Sequence, residues 1–496
     1  MDHYQTSDPL RKLLSLFPYG PIRPVQAAAL QVIAQMFRED RRFAIIEAPT
    51  GAGKSALAIT TALYAATLGN ERFQPGAYVL TPNNNLAVQM TDAFGDIEMA
   101  ALKGRRHYLQ NTVSSYGNAK SQFSATRIGV TNYAYFLRAQ QLAERQVLIL
   151  DEGHNIEKLL VDQAGFQITP QICRVAGVGV PLHLASKREP IAEWLGIVLL
   201  PALQKRMNLA NQITEQREWG NLIERVASYL ETEEPDQWFA WSEDGTLCAK
   251  PLSVTNQARN LFARARHVVI QSATIFDFNS FQKILGIPDT AFRFCAGCDF
   301  PLRNRPIFYN PVGDMAFSSM EKTIPNLCRV IERIVKSFCS SKGIIHTHSY
   351  RINEQISRYL IARVGCRIIT HGQDPREREE AIRRHRTSQD ASVLVSPSLT
   401  EGVDLAGDLA RFQVVCKVPY PRLDAYTRAR AATDRRWYDL KTAWALVQTV
   451  GRAIRSDTDF ASTFILDSQF EAFASRNSSI LPAWWKASIQ TLAETL

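Results

Sequence analysis

The stretch from Arg42 to Ser55, RFAIIEAPTGAGKS, decides the fold of the first half of this chain. Its first six residues have the composition of a buried strand, and the glycine-rich loop leads into ALAITTALYAATL, which has helical composition. A strand, a glycine loop and a helix in this order are typical of a doubly wound α/β sheet, which binds its ligand at the carboxyl ends of the strands. We therefore expect an α/β fold with a phosphate site at residues 48–55.

The loop follows the pattern GxxxxGK[ST], except that Ala48 replaces the first glycine. Glycines let backbone N–H groups turn toward phosphate oxygens, a lysine reaches the outer phosphates, and a serine hydroxyl suits Mg2+. A loop without a ligand is the alternative, which the flanking strand and helix disfavour. The predicted nucleotide-binding residues of the loop are Thr50, Gly51, Ala52, Gly53, Lys54 and Ser55.

An acidic pair follows a second buried strand. The segment QVLIL, at 146–150, leads directly into Asp151-Glu-Gly-His154. We predict that Asp151 holds Mg2+ with Ser55, and that Glu152 orients or deprotonates the attacking water. His154 is a candidate for reporting the phosphate state to the rest of the protein. A solvated acidic pair that caps the next helix is the alternative, and the phosphate loop disfavours it.

Two short strands, at 78–81 and 127–131, complete the first predicted sheet. Each ends in Thr and is followed by turn or cap residues. Thr81, Asn83 and Gln89 then lie at the strand-end crevice. Contact with a nucleic-acid backbone and simple helix capping by Asn are both open there.

The second half repeats the alternation of strands and helices without a phosphate loop, which predicts a second doubly wound domain. Gln448, Arg452 and Arg455 recur at spacings of four and three, so we expect them on one helical face. Such guanidinium groups can stabilise transition-state charge on a triphosphate, whereas a solvated basic face is the alternative. The predicted strands of this half are 342–347, 367–370, 392–396, 412–418 and 463–466.

A long segment separates the two halves. Residues 193–230 have a helical pattern, and 238–247 indicate a hairpin around Asp244-Gly245. Trp238 and Trp241 are candidates for base stacking, although alternate aromatic residues on a hairpin more often pack a local core.

Composition sets broad limits on function. The 496 residues include 57 Lys and Arg against 48 Asp and Glu, and the net charge of +9 is compatible with a polyanionic partner. Eight irregularly spaced cysteines and a start without a signal-peptide pattern predict reduced, intracellular thiols. The longest apolar patch, WLGIVLLPAL at 194–203, is too short to span a bilayer, so we expect a soluble cytoplasmic protein without membrane contact.

The order of these motifs resembles that of the DinG/XPD-like group of superfamily 2 helicases. The resemblance covers about residues 23–466 and is more specific than any single motif. It implies two RecA-like doubly wound parallel-sheet domains, a mainly helical arch insertion and a short vestigial iron–sulfur-type loop. The motifs that carry it are RPVQ at 23–26, APTGAGKS, TP at 81–82, DEGH, SAT at 272–274, EGVD at 401–404, QTVGRAIR at 448–455, LKGRRHYL, VTNYAYFL and DFPLRNRP.

The implied boundaries are 1–160 and 252–298 for the first RecA-like domain, 161–251 for the arch and 299–496 for the second domain, with 101–126 as the vestigial region. By the same resemblance, Gln26 reads the adenine. The other implied residues are Asp404 for the nucleotide; His154, Ser272, Thr274, Glu401 and Gly402 for coupling; Thr81 and Thr400 for the strand; and Lys54, Asp151, Glu152, Gln448, Arg452 and Arg455 for catalysis.

Most DinG/XPD-like proteins carry a four-cysteine iron–sulfur cluster, and this sequence departs from that pattern. Gln110 stands at the first cysteine position and no cysteine precedes Cys173, so we expect no cluster. Gly153 and Asn83 also stand where Ala and Thr are commoner. The pair Cys295-Ala-Gly-Cys298 is half of a zinc pattern without a second half nearby, and we expect a structural loop there.

The segment ALKGRRHYLQ, at 101–110, clusters basic residues and one tyrosine. A solvated face is the usual explanation for such a cluster. Because the segment falls where the family's strand-separating subdomain begins, we expect phosphate contact and stacking from Lys103, Arg105, Arg106 and Tyr108.

The resemblance implies ATP and Mg2+ as cofactors, with hydrolysis driving 5′ to 3′ movement on single-stranded DNA and unwinding of tailed duplex DNA by a monomer. Cluster-lacking relatives include helicases that accompany type IV CRISPR effector complexes, so such a ribonucleoprotein is one candidate partner; a mobile-element or stand-alone role is the other. The competing function is a nucleic-acid clamp or assembly subunit that uses ATP as a switch and unwinds nothing. The presence of Glu152, Arg452 and Arg455 argues against the clamp.

Overall fold

The computed structural model describes residues 8–49, 51–104, 108, 113–139, 141–179, 188–297, 300–399, 405, 407–454 and 458–491. The strands are β1 (Phe43–Glu47), β2 (Gln74–Thr81), β3 (Ala100–Leu102), β4 (Ile128–Asn132), β5 (Arg145–Leu150), β6 (Phe166–Ile168), β7 (Trp238–Glu243), β8 (Thr246–Pro251), β9 (Ala265–Ser272), β10 (Phe292–Cys295), β11 (Ile307–Gly313), β12 (Gly343–His346), β13 (Ile368–Thr370), β14 (Val393–Ser396), β15 (Phe412–Val415), β16 (Ser462–Asp467) and β17 (Ile489–Thr491).

The helices run between these strands and cover both faces of the sheets. They are α1 (Pro9–Ser15), α2 (Pro24–Arg38), α3 (Lys54–Ala65), α4 (Asn84–Ala93), α5 (Val113–Ala125), α6 (Tyr133–Arg138), α7 (Ile156–Ala164), α8 (Pro170–Ala176), α9 (Arg188–Trp194), α10 (Leu200–Leu209), α11 (Ile213–Leu230), α12 (Thr255–Phe262), α13 (Phe278–Leu285), α14 (Met320–Ser337), α15 (Tyr350–Val364), α16 (Pro375–Thr387), α17 (Ala425–Thr433), α18 (Arg435–Val450), α19 (Gln469–Arg476) and α20 (Ala483–Lys486).

A seven-stranded parallel sheet forms the first domain, in the spatial order β10-β1-β9-β5-β2-β4-β3. The central strands β1 and β5 are buried along their whole length, as expected for a parallel sheet covered by helices on both faces. Strand β9 lies between β1 and β5, so the carboxyl ends of all three open onto the same edge.

A second seven-stranded parallel sheet forms the second domain, in the order β13-β14-β12-β15-β16-β11-β17. Two parallel-sheet α/β domains confirm the predicted fold class. Among the described residues, no helix combines the length and apolar character that crossing a lipid bilayer requires.

A smaller antiparallel sheet, in the order β6-β8-β7, is inserted in the chain between β5 and β9 of the first sheet and packs with helices α8 to α11 around a core of its own. The predicted hairpin is confirmed. Asp244 and Gly245 form its tip with φ values of 50° and 72°, the left-handed pair that a tight two-residue turn needs.

One hydrophobic cluster continues from the first domain into the second. It joins Leu148 and Ile270 of the first sheet to Val415 of the second through Trp437 and Trp444 of α18. Helix α18 therefore belongs to the second domain in sequence but packs into the first, and this sets the position of its carboxyl end.

One local expectation is wrong. We expected one helical face to carry both Gln448 and Arg452, but α18 ends at Val450 and residues 451–453 form a 3-10 turn. The physical reason is Gly451, because a glycine at this position weakens helix propagation.

Candidate active site

The loop after β1 has the backbone shape that phosphate binding requires. Gly51 and Gly53 have φ values of 83° and 85°, and Gly53 directly precedes α3. A Cβ at Gly53 would lie 2.2 Å from Nε2 of Gln26, so both the conformation and the space demand glycine. The Lys54 ammonium donates to the carbonyls of Ala48 and Pro49 at 3.1 and 3.3 Å, which holds it over the loop.

Two residues from the start of α2 brace this loop from behind. Gln26 is buried; its Nε2 donates to the carbonyl of Ala52 at 3.0 Å and its Oε1 accepts from the backbone N–H of Arg23. The Arg23 guanidinium donates to the carbonyl of Gly51 at 2.8 Å. Each end of the Gln26 amide thus makes one hydrogen bond, and because the NH2 has two N–H groups and the oxygen two lone pairs, these bonds are compatible with reading a base.

Asp151 and Glu152 follow β5 at the same edge of the sheet. Burial raises the pKa of Asp151 to about 6, and the neighbouring Glu152 carboxylate adds to the rise. Gln271 of β9 donates to Asp151 at 2.9 Å. Glu152 has a φ of 50°, a left-handed conformation that non-glycine residues adopt rarely and that is over-represented at functional sites.

His154 connects the acidic pair to the second domain. Its Nδ1 lies 2.7 Å from the Ser272 hydroxyl and 3.4 Å from the Glu152 carboxylate. Its Nε2 lies 2.7 Å from Nε2 of Gln448, which also donates to the Thr274 hydroxyl at 3.1 Å. Because the Gln448 amide nitrogen donates, Nε2 of His154 accepts, and the imidazole proton belongs on Nδ1. His154 and Thr274 therefore contact one residue of the second domain, and Ser272 is linked to that residue through His154.

Further along α18, a buried carboxylate anchors the helix to the first domain. Glu157 accepts from the Trp437 indole and the Lys441 ammonium at 2.9 Å each, and Arg430 lies 3.5 Å away. Burial alone would raise the pKa of Glu157, but the charges of Lys441 and Arg430 and these hydrogen bonds outweigh it and lower the pKa. Trp444 adds a hydrogen bond of 3.2 Å to the carbonyl of Ile275.

The phosphate loop, the acidic pair and the end of α18 line one cleft of about 480 Å³. Lys54, Ser55 and Glu152 lie on its first-domain side, and Gln448 and Arg452 lie on its second-domain side. Arg452 is held by a hydrogen bond of 3.1 Å to the carbonyl of Leu399. Although the two side chains do not share an α-helix, the 3-10 turn still brings Arg452 to the cleft that Gln448 lines.

Two polar residues inside apolar strands also shape this site, and the sequence reasoning missed both. Glu47, the last residue of β1, is buried and accepts from the backbone N–H groups of Ile275 and Phe276. Gln271 holds Asp151 as described above. A carboxylate or an amide within an otherwise apolar strand was the available signal, since a buried polar group requires a partner.

Thr81, a predicted strand contact, lies at the carboxyl end of β2. This side chain is fully buried, and its hydroxyl donates to the carbonyl of Asn83 at 2.9 Å. Asn83 caps α4 by accepting from the backbone of Leu86, which is the capping alternative. Gln89, by contrast, lines the cleft.

In the basic segment, Tyr108 packs locally. Its ring lies 5.6 Å from that of Tyr116, and its hydroxyl accepts from the backbone N–H of Lys103 at 3.3 Å.

Cys295 of the CxxC pair contacts Glu47 at 3.7 Å, and burial raises the pKa of its thiol to about 12. The predicted residues that lie outside the described part of the chain are Thr50, Arg105, Arg106, Gln110, Cys298, Thr400, Glu401, Gly402, Asp404 and Arg455.

Comparison with known proteins agrees with this architecture. The family described as "Helicase C-terminal domain" matches residues 331–488, and that described as "Type III restriction enzyme, res subunit" matches residues 20–171. The probable ATP-dependent helicase MJ0942 of Methanocaldococcus jannaschii is 24% identical over 49% of this chain and 40% of its own length. The ATP-dependent DNA helicase DinG of Escherichia coli K12 is 25% identical over 44% of this chain and 33% of its own length.

Solved structures share the fold over nearly the whole chain. A structure described as an XPD helicase superposes with a TM-score of 0.66 at 14% identity and covers 96% of this chain and 100% of that one. The Xpd4 structure of S. tokodaii gives 0.62 at 14% identity, with 95% and 100% covered. The chain is therefore similar to helicases of the DinG/XPD-like group, in the matched sequence regions and in fold. Members of this group matched by sequence extend well beyond the aligned part, which is less than half of each.

Proposed function

We propose that this protein is an ATP-dependent DNA helicase or translocase. The observation that carries the proposal is the single cleft in which Lys54 and Glu152 of the first domain face Gln448 and Arg452 of the second. Hydrolysis residues divided between two domains give nucleotide turnover a direct effect on the distance between those domains. The ATP-dependent helicase relatives support the same activity.

The residues of the cleft fit ATP and Mg2+. The loop contributes the Lys54 ammonium and the Ser55 hydroxyl to the cleft lining, and Asp151 contributes a carboxylate to the same lining. The pKa of Asp151 is raised by burial and by Glu152, so a divalent cation beside it would offset an existing accumulation of negative charge. Ser55 and Asp151 are the residues that would hold Mg2+, which would neutralise charge on the phosphates.

Each proposed catalytic residue has a definite task. Glu152 orients the attacking water and accepts its proton, while Lys54 exchanges its bonds to the loop carbonyls for bonds to phosphate oxygens. Arg452 and, outside the described residues, Arg455 stabilise the charge that develops on the phosphates. His154 then relates the position of Glu152 to Gln448, because it contacts both.

The finer properties rest on the family resemblance. We include in the proposal 5′ to 3′ movement on single-stranded DNA, unwinding of tailed duplexes and the absence of an iron–sulfur cluster. Association with a type IV CRISPR ribonucleoprotein remains the candidate partnership. Recovery of an RNA-containing complex with the native protein would support it, and recovery of the protein alone would favour a stand-alone helicase.

Two substitutions test the catalytic assignment. Glu152→Gln should lower DNA-stimulated ATP hydrolysis about 100-fold or more while nucleotide binding persists, because only the proton acceptor is lost. Lys54→Ala should lose both binding and hydrolysis. Glu98→Gln, an equivalent change at an exposed position, is the control and should hydrolyse ATP like the parent. Parental turnover by both site variants would refute the assignment.

A strand-displacement assay separates the helicase from the clamp. Duplexes with a 5′ tail or a 3′ tail should be compared with ATP present, with the Glu152→Gln variant as the inactive control. Unwinding of the 5′-tailed duplex alone supports the proposed direction. ATP hydrolysis with no unwinding of either duplex would favour the ATP-switched clamp.

A further inference from the structure

The two faces of strand β7 have different partners. Trp238 and Ala240 face the core of the small sheet, where Trp238 packs edge-on against Tyr229 with 5.3 Å between ring centroids. Phe239 and Trp241 point to the opposite face because successive side chains alternate along a strand. Of the two tryptophans that the sequence singled out for stacking, Trp238 thus packs a local core and Trp241 does not.

Phe239 and Trp241 open onto a groove of about 270 Å³ between β7 and the start of α17 in the second domain. Their rings are stacked, with centroids 5.4 Å apart and planes 20° from parallel. Tyr426 of α17 continues the row, 6.2 Å from Trp241 and 27° from parallel to it. The Tyr426 hydroxyl donates to the carbonyl of Pro251 at 2.8 Å, which fixes this ring against the hairpin.

Two arginines from the second domain line the same groove. Arg422 and Arg428 are exposed, and among the described residues neither guanidinium has an ion-pair partner. Two carboxylates also lie there. Asp424 caps α17 by accepting from the backbone N–H of Thr427 at 2.7 Å, and Glu243 is exposed at the hairpin end.

We propose that this groove is a binding site for single-stranded DNA, with bases stacked against Phe239 and Trp241 and phosphates contacted by Arg422 and Arg428. The proposal rests on the proposed function, since it needs a nucleic-acid substrate. Flat, near-parallel aromatic rings beside guanidinium groups without an ion-pair partner are suited to bind an unpaired strand. Every base has a face that can stack on a ring, and every phosphate of the backbone carries a negative charge. The mixed charge of the rim makes stacking the larger contribution.

The site joins the hairpin of the small sheet to the start of α17 in the second domain. Because the rings come from the hairpin and the arginines from the second domain, a strand in the groove holds both.

The test uses labelled oligothymidylate and fluorescence anisotropy on the full chain. Trp241→Leu keeps an apolar side chain against Tyr426 but removes the stacking face, and should weaken binding about 5- to 100-fold. Trp241→Phe keeps a ring and should restore most of the affinity. A second oligonucleotide with several abasic sites keeps the phosphates but lacks bases, so the parent should bind it less tightly, and this preference should be smaller for Trp241→Leu, which retains only Phe239.

The arginines are tested by salt dependence. Arg422→Ala combined with Arg428→Ala should reduce the slope of log affinity against log salt by about 1.4, since each phosphate contact to a single strand contributes about 0.7. Arg217→Ala on α11, an exposed arginine away from the groove, is the matched control and should leave the slope unchanged.

The outcomes separate this inference from the proposed function. A parent that does not bind single-stranded DNA refutes the proposed function, and the inference with it. A parent that binds, together with a Trp241→Leu variant of unchanged affinity, overturns the inference alone. Equal weakening of Trp241→Leu on the normal and abasic strands would also overturn it, because the loss would then not involve bases.

Discussion

Helix α18 contacts the first domain in different ways at its two ends. Near its start, Trp437 and Lys441 donate to the carboxylate of Glu157, whose side chain is almost completely removed from solvent. At its other end, Gln448 makes two hydrogen bonds to His154 and Thr274 at the wall of the cleft. Breaking the buried contact with Glu157 costs more free energy than breaking the hydrogen bonds of Gln448 at the cleft. We therefore call the Glu157 contact the anchor of α18 and the end that carries Gln448 its tip.

This difference bears on how nucleotide turnover moves the domains. If the anchored end stays in place, opening of the cleft occurs by rotation about Glu157 and displaces Gln448 and Arg452 most. Residues 437, 441, 444 and 448 lie on one face of the helix at spacings of four, three and four, so a single rigid element carries both contacts. Each prediction below tests whether the two ends differ as described.

The largest effect is expected from Glu157→Ala. The substitution leaves the Lys441 and Arg430 charges buried without their carboxylate, which should cost about 3–5 kcal/mol in the free energy of unfolding. Urea denaturation measures it. Lys158→Ala, at the exposed neighbouring position, is the control and should change the free energy by less than about 0.5 kcal/mol. A loss of less than about 1 kcal/mol in the free energy of unfolding for Glu157→Ala would show that the Glu157 contact does not anchor α18.

The same contact has a pH dependence of known sign. Because the pKa of Glu157 is lowered in the folded protein, its stabilisation is complete above the unfolded pKa of about 4.3 and is lost as the pH falls through the folded value. The difference in stability between the parent and Glu157→Gln should therefore shrink as the pH is lowered below about 4.3. A difference that stays constant down to pH 3 would contradict this.

A smaller effect is expected from Gly153→Ala, between the anchor and the tip. A Cβ at this position would lie 2.3 Å from Cγ2 of Ile270, so the backbone that carries His154 must shift. Overpacking of this kind costs about 1–3 kcal/mol. Ile270→Leu removes the branched methyl group, and the double variant should recover most of the stability. Independent, additive effects of the two changes would show that the contact is not responsible.

The local elements of this protein could be predicted well from its sequence, whereas the contacts between residues far apart in the chain could not. The phosphate loop and the Asp151–Glu152 pair were recognisable because each follows a buried strand directly. Strand β9, at the centre of the first sheet, was missed. Its start contains the polar pair Arg266 and His267, and their partners, Asp40 for Arg266 and the Arg41 carbonyl for His267, are 226 residues away in sequence.

The contact between Glu157 and α18 could not be predicted from the sequence for the same reason, the long separation of its partners along the chain. Glu157 and Trp437 are 280 residues apart, and neither lies in a motif that names the other. Gln448 and Arg452 of the carboxyl-end motif line the same cleft, but the spacing of the motif overstated the length of the helix. Residue spacing describes a helix only where the helix continues, and Gly451 ends this one.

The smallest effect on stability and the most selective effect on activity are expected from Gln448→Ala. The side chain is partly exposed, so losing its hydrogen bonds should cost about 1 kcal/mol. If the tip relays the state of the cleft through His154, the ratio of DNA-stimulated to basal ATP hydrolysis should fall about tenfold, the equivalent of about 1.4 kcal/mol of coupling. Gln355→Ala, which loses a hydrogen bond to Glu321 within the second domain, is the matched control and should leave that ratio unchanged. A Gln448→Ala variant destabilised as much as Glu157→Ala would make both ends of α18 structural anchors, and the rotation of the domains would then have to occur elsewhere.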